Sequence, residues 1–375
     1  MTGALDGLRV ADFGRVLAAP YATMLLADLG AEVVKVERPD GGDETRSWGP
    51  PWSAGESTYF LSVNRNKTSL VLDLGTGAGR AEARGLVASC DVVVENFLTG
   101  TMERFGLGYD DVRTTNPGLV YCSVTGFGPH AGAELPGYDL VMQAVGGLMS
   151  VTGSAESGPT KVGVALVDVV TGLHATAGIL AALRHRDRTG EGQRVQVNLM
   201  SSMLSALTNQ ASTFVATGQV PTPMGNRHPS IAPYEVLATA DRPLAVAAAN
   251  DRLFARLVSG LGRPELSDDA RFRTNTSRVA HRGALVGELE EALRQESADH
   301  WFELLSGLGV PCGPINDLAQ AFALAERLGL EPVVDIEDPD RTDPVRSVAH
   351  PISFSATPAS YRVAPPLFLA PAEAR

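Results

Sequence analysis

The chain has 375 residues, 44% hydrophobic and 20% charged, so it can bury a sizeable core and is not a disordered polymer. Its formal net charge of −12 argues against wholesale binding to nucleic acid or an anionic membrane, and leaves anionic ligands to local basic clusters. The three cysteines, Cys90, Cys122 and Cys312, lie far apart with no CxxC, which argues against a disulfide framework or a zinc site and for a reducing compartment.

Residues 8–13 (LRVADF) predict a short strand running into a loop at Gly14. Asp6, Arg9, Asp12 and Arg15 interrupt this stretch, so it lacks the layout of a signal peptide. Pro20 opens an apolar helix over 21–29, Gly30 stops it, and the valine-rich 31–37 reads as a buried strand. Strand, helix and strand in so few residues make a parallel βαβ unit. The pattern recurs with strand 69–74, helix 78–88 and strand 91–95, and 120–123 and 162–167 read as two further strands. A long apolar helix over 169–186 follows, with basic residues in its last turn and Gly190 as a stop. The apolar run 162–183 contains Asp168 and His174, so it reads as buried strand and helix, not a membrane span. Strand 195–199 and helix 200–217 complete the expected large domain, 1–217, a doubly wound parallel α/β sheet of Rossmann-like type.

Residues 218–233 hold four prolines and read as a linker. A smaller α+β domain is expected over 234–315: a hairpin of 234–239 with 244–248, then helices 251–261, 277–295 and 298–307. Residues 316–375 read as a return segment packing on the large domain, with a helix at 318–328 and strands at 333–336 and 345–348. A soluble cytoplasmic protein is the expectation.

Residues 69–80 (SLVLDLGTGAGR) carry the most visible local motif, a strand ending in Asp73 and three spaced glycines, Gly75, Gly77 and Gly79. An S-adenosylmethionine-dependent methyltransferase places such a loop under its ligand, and Glu95 at the end of the next strand suits a ribose diol. An ordinary strand–turn–helix junction explains the same glycines, and the motif sits in the second βαβ unit, not the first. Asp168, between an apolar strand and an apolar helix, reads as an N-cap held ionised by the helix dipole. An ionised, partly desolvated carboxylate there is also a usable nucleophile. The seven histidines are scattered without metal-ligand spacing, no GxSxG elbow is present, and His174 reads as a core residue. Arg38 and Arg104 stand at loop ends where a phosphate-rich ligand could be held.

Many longer stretches carry a wider resemblance, among them LDGLRVADFGRVLAAPYATMLLADLGAEVVKVERP, GGDETRSWGPP, YFLSVNRNKTSLVLDL, DVVVENF, NPGLVYCSVTGFG, PGYDLVMQAVGGLMSVTG, KVGVALVDVVTG and RTGEGQRVQVNL. Taken in order, they resemble the class III CoA transferases, which include formyl-CoA transferase and carnitine-CoA transferase. The resemblance implies that family's fold and an interlocked homodimer. It implies that Asp168 is a covalent nucleophile passing CoA between carboxylic acids through an aspartyl anhydride and an aspartyl–CoA thioester. CoA and acyl-CoA then act as substrates, with no permanently bound cofactor and no metal.

By the same resemblance Val16 and Ala18 line the CoA site, Arg38 and Arg104 lie near the phosphates, and Leu72, Asn96 and Phe97 line the nucleotide pocket. Tyr138 and Asp139 lie near the thioester. Leu17 stands where formyl-CoA transferase has a glutamine, and Gly75 where some relatives have a lysine. The related α-methylacyl-CoA racemases need a histidine–aspartate pair; here the stretch reads Gly137-Tyr138-Asp139, which favours transfer over racemisation. The segment NRHPSIAPYEV looks most like relatives using succinyl-CoA and dicarboxylic acids, which makes Asn226, Arg227, His228 and Ser230 candidate acceptor-side contacts.

Overall fold

The computed structural model describes residues 3–369. Six strands, β1 (Arg9–Asp12), β2 (Glu32–Glu37), β3 (Lys67–Val71), β4 (Val92–Glu95), β5 (Val120–Thr125) and β6 (Arg194–Asn198), form one sheet in the order β6-β5-β4-β1-β2-β3. Every pairing in it is parallel. The valine-rich runs explain this. Val92 and Val94 of β4 face one core while Val93 faces the other, so both faces of the strand are buried. On one face lie α1 (Ala18–Asp28), α4 (Leu166–Thr189) and α5 (Leu199–Ala206); α2 (Gly77–Ala88) covers the other. α3 (Asp139–Val145) and α6 (Thr208–Thr217) lie in the same part of the chain.

The chain leaves β1 toward β2 and β3, then returns to place β4 on the other side of β1. Neighbouring connections therefore diverge at the carboxyl ends of β1 and β4, and a crevice opens there. In a doubly wound sheet this is where ligands bind.

Three local expectations need correction. Residues 162–167 do not form a strand. The Val162 N–H donates to Gln143 Oε1 at 2.8 Å, a side chain and not a ladder partner, and β5 pairs directly with β6. Helix 200–217 is two helices, α5 and α6, divided at Leu207 ahead of Thr208, whose φ is +37°. Helix 277–295 is likewise split at His281 into Asn275–Ala280 and α8 (Arg282–Leu293).

By internal contacts the chain divides into two units. The larger runs to Ser150 and takes in Lys161–Pro221 and the segment from Glu331 onward; the smaller is Val151–Thr160 with Thr222–Leu330. In the smaller unit β7 (Tyr234–Leu237), β8 (Leu244–Ala247) and β9 (Cys312–Pro314) form an antiparallel sheet. Its core is completed by α7 (Asp251–Gly260), α8 and α9 (Ala298–Gly307). In the larger unit, β10 (Val333–Ile336) and β11 (Val345–Val348) make an antiparallel pair within the return segment. Of that segment, 370–375 lies outside the described residues.

Candidate active site

Two cavities open at the crevice, of about 210 and 480 Å³. The first is lined by the loop after β1 (Arg15–Ala18), the loop after β4 (Asn96–Thr99), the end of β5, Tyr138 and Asp168. The second is lined by the ends of β2 and β3, with Arg38, Leu72 and Gly75, and shares Arg15 and Phe97 with the first. Both lie at carboxyl ends of strands.

The two main loops are latched together. Asn96 Oδ1 accepts the Arg15 N–H at 2.8 Å and Asn96 Nδ2 donates to the Arg15 carbonyl at 2.7 Å, while the Arg15 guanidinium lies 4.7 Å above the Phe97 ring. On the other wall the backbones of the loop after β5 and the loop before α3 touch. A Cβ added to Gly137 would sit 2.6 Å from the Gly126 Cα, so neither glycine tolerates a side chain.

Asp168 is not the N-cap of its helix. α4 starts at Leu166, its N-cap is Ala165, and Asp168 is the third residue of the first turn. The capping acceptor comes from elsewhere: Asp139 Oδ1, from α3, accepts the Val167 N–H at 2.8 Å and the Asp168 N–H at 3.4 Å. Asp139 Oδ2 accepts from Gln143 Nε2 at 2.6 Å, and that glutamine also holds the Val162 N–H and the Val164 carbonyl. With Asp139 doing the capping, the Asp168 carboxylate forms no hydrogen bond among the described residues and faces the first cavity.

The expected electrostatics are also reversed. Burial, reinforced by the neighbouring Asp139, pushes the Asp168 carboxyl up to about 7, and this outweighs the helix dipole. Tyr59 belongs to the same environment. It packs, as Val16 and Val169 do, against the cluster of Leu17, Met24 and Val63, and burial together with the charges of Asp168, Asp139 and Asp43 pushes its phenol up to about 12.

The structure thus gathers Val16, Leu17, Ala18, Asn96, Phe97, Tyr138 and Asp168 around one cavity and Arg38, Leu72 and Phe97 around the other. Arg38 donates to the Gly42 carbonyl at 2.9 Å. Arg104 lines neither cavity; it is exposed and donates to Thr101. Asp139 stands behind the wall with both oxygens engaged. Asn226, Arg227, His228 and Ser230 belong to the smaller unit, where Arg282 of α8 donates to the His228 and Ile231 carbonyls, each at 2.8 Å. The end of the expected linker is therefore fixed.

The glycines after β3 serve the strand-to-helix junction. Thr76 caps α2 through the Gly79 N–H, and a Cβ on Gly79 would fall 2.1 Å from the Asp73 carbonyl oxygen. Glu95 lines neither cavity; its Oε2 accepts the Phe97 N–H at 2.9 Å. His174 is exposed and not the expected core residue; its Nδ1 meets Ser202 Oγ at 3.0 Å between α4 and α5. No cluster of three metal-ligating side chains occurs among the described residues. Sequence reasoning missed Arg15, Tyr59 and Gln143. Gln143 had a usable signal, its i+4 spacing from Asp139 on a short helix; Tyr59 had none.

The family model described as CoA-transferase family III matches residues 5–368. The chain belongs to CoA-transferase family III. Mouse (Mus musculus) succinyl-CoA:glutarate CoA-transferase is 43% identical over 89% of this chain and 77% of its own length. Succinate–glutarate CoA-transferase of Agrobacterium fabrum is 42% identical over 95% of this chain and 91% of its own. A crystal structure of a CAIB/BAIF family protein from Brucella suis superposes with a TM-score of 0.87 at 41% identity, covering 99% of this chain and 97% of that one. As a family III CoA-transferase the protein is an enzyme acting on CoA thioesters, and this membership displaces the methyltransferase reading of the glycine loop.

Proposed function

We propose that the protein transfers CoA from a dicarboxylic acyl-CoA of the succinyl-CoA class to a second dicarboxylic acid, with Asp168 as the covalent carrier. One observation carries the reading: a carboxylate freed from capping duty by Asp139 and facing a cavity at the switch point of the sheet. The names of the relatives supply the substrate class.

In this mechanism the Asp168 carboxylate attacks the thioester carbonyl, the C–S bond breaks, and CoA leaves as thiolate from an aspartyl anhydride. The thiolate then attacks the Asp168 carbonyl and releases the donor acid, leaving an aspartyl–CoA thioester. Attack by the acceptor carboxylate expels the thiolate again, and its return to the acceptor carbonyl frees Asp168. An elevated pKa makes the carboxylate the more basic, and so the stronger, nucleophile once it is ionised. Ala18, in the first turn of α1 and on the wall of the first cavity, supplies a backbone N–H group to the oxyanions, where preorganised donors are worth most. Arg38 and Arg15 serve the nucleotide's phosphates.

Asp168→Asn tests this directly. Turnover is expected to fall by at least ~10³-fold while CoA affinity stays within about threefold, because a single nucleophilic oxygen is replaced. Borohydride quenching of the native enzyme during turnover is expected to leave a reduced residue 168. Retained turnover in the variant removes the covalent role. Wash-in of deuterium at the α-carbon of the acyl group would instead mark racemase chemistry.

The protein is further proposed to be a cytoplasmic homodimer. α6 buries none of its residues, and Phe214 and Val215 are 53% and 82% exposed. Light scattering of the native protein is expected to give the mass of a dimer, and a monomer mass overturns the proposal; changing both residues to aspartate is expected to lower the yield of folded dimer, since interlocked chains part only on unfolding.

A further inference from the structure

Beneath the loop shared by the two cavities lies a set of charges that neither the nucleophile nor the phosphate contacts use. Asp12 of β1, Lys35 of β2 and Lys67 of β3 are fully buried, and Asp43 is nearly so. Ions are tolerated in such a place only when their donors and lone pairs are used, and here they are used on one another, on the Thr23, Thr45 and Asn64 side chains, and on the backbone of the loop after β1. Lys35 Nζ donates to the Gly14 carbonyl and to Asp43 Oδ2, both at 2.8 Å. The Asp43 carboxylate accepts the Val16 N–H at 3.3 and 3.4 Å as well as the Thr45 N–H. Asp12 Oδ1 accepts the Gly14 N–H at 2.8 Å, and Lys67 ties Asp12 to the Pro20 carbonyl.

With Asn96 holding both polar groups of Arg15, every backbone donor and acceptor from the Gly14 N–H to the Val16 N–H has a partner. The stretch needs this. Val16 lies at φ +67°, a left-handed conformation that a β-branched residue adopts only when its surroundings over-determine it.

We propose that Lys35 and Asp43 are positioning residues of the acyl-CoA site, a buried ion pair that locks Val16 in its left-handed conformation and so fixes the wall common to both cavities. The inference rests on reading those cavities as the acyl-CoA site. The pair stays charged across the working pH range. Burial alone would raise the Asp43 carboxyl, but Lys35 and the Thr45 bonds outweigh it and hold it at about 2; for Lys35 the carboxylates of Asp43, Asp12 and Glu37 overcome the desolvation.

The test is the paired variant Lys35→Met with Asp43→Asn, which removes both charges together, leaves no lone buried ion and keeps an acceptor for Thr45. Isothermal titration with CoA is expected to give a Kd at least tenfold weaker, with kcat at saturating substrate within threefold and cooperative unfolding retained. A folded variant whose Kd is within twofold of the parent overturns the proposal. If the pair does not fold, Asp43→Asn alone is measured: a Kd at least threefold weaker supports the proposal and an unchanged one overturns it. Phe97→Ala, on the wall of both cavities, separates the two levels. If it weakens CoA binding and the pair does not, the positioning role fails alone; if neither does, the site assignment fails with it.

Discussion

At the scale of single residues the proposed chemistry turns on two aspartates that divide one task. Asp139 accepts the amides at the start of α4 and spends both oxygens on them and on Gln143, which leaves the Asp168 carboxylate, among the described residues, unbonded at the cavity. Because the Asp168 carboxyl titrates at about 7, kcat/KM is expected to rise with pH through that value and level off above it, since only the ionised form attacks. Asp139→Asn keeps an acceptor for the Val167 N–H but removes the like charge, and the rising limb of the pH–rate profile should move to lower pH. Stability carries the opposite sign. Between about 3.8 and about 7 the folded protein holds a proton on Asp168 that the unfolded chain has released, so stability falls as pH rises across that window. Asp168→Asn should therefore stabilise the fold more at pH 8 than at pH 4, by at most about 4 kcal/mol read from denaturation curves, even as turnover disappears. That an aspartate stands at the start of this apolar helix was legible in the sequence. The source of the cap was not, because Asp139 is 29 residues away in sequence and only the tertiary fold brings it to α4.

At the scale of elements, the site depends on how closely α1 and α4 approach. The contact is made at Gly172, one turn after Asp168, where an added Cβ would lie 2.7 Å from the Ala18 carbonyl oxygen. Gly172→Ala should push the start of α1 away from Asp168, costing about 1–3 kcal/mol in a denaturation curve. It should lower kcat more than the folded fraction explains, which assay of the folded protein checks. The elements themselves were largely readable. The strands expected at 8–13, 31–37 and 91–95 give β1, β2 and β4 to within one residue at each end, and Val333–Ile336 and Val345–Val348 match their predicted limits. The false strand at 162–167 came from alternating valines, a pattern that also suits an extended segment pinned by one side chain; Gln143 does the pinning. The break at Leu207 carries no proline or glycine to announce it.

Across the whole larger unit, function and stability occupy opposite ends of the sheet. α1 starts at the cavities and runs back for about 16 Å to Asp28, beside the amino ends of the strands. There Arg65, two residues before β3, binds Asp28 with a closest contact of 2.7 Å and donates to Ser347 Oγ and the Val348 carbonyl of β11. Asn66 links Asp28 to the Ser360 carbonyl, and His350 Nδ1 meets Asp28 at 3.1 Å. One buried carboxylate thus joins α1, the entry to β3 and the return segment, a convergence that no local pattern around 28, 65 or 350 reveals. Asp28→Ala would leave the Arg65 guanidinium buried without its counter-charge, a change that typically costs about 3–5 kcal/mol. The urea midpoint should fall accordingly, while protein that remains folded keeps its KM for acyl-CoA. A raised KM at unchanged stability would mean that the two ends of α1 are coupled more tightly than their separation implies.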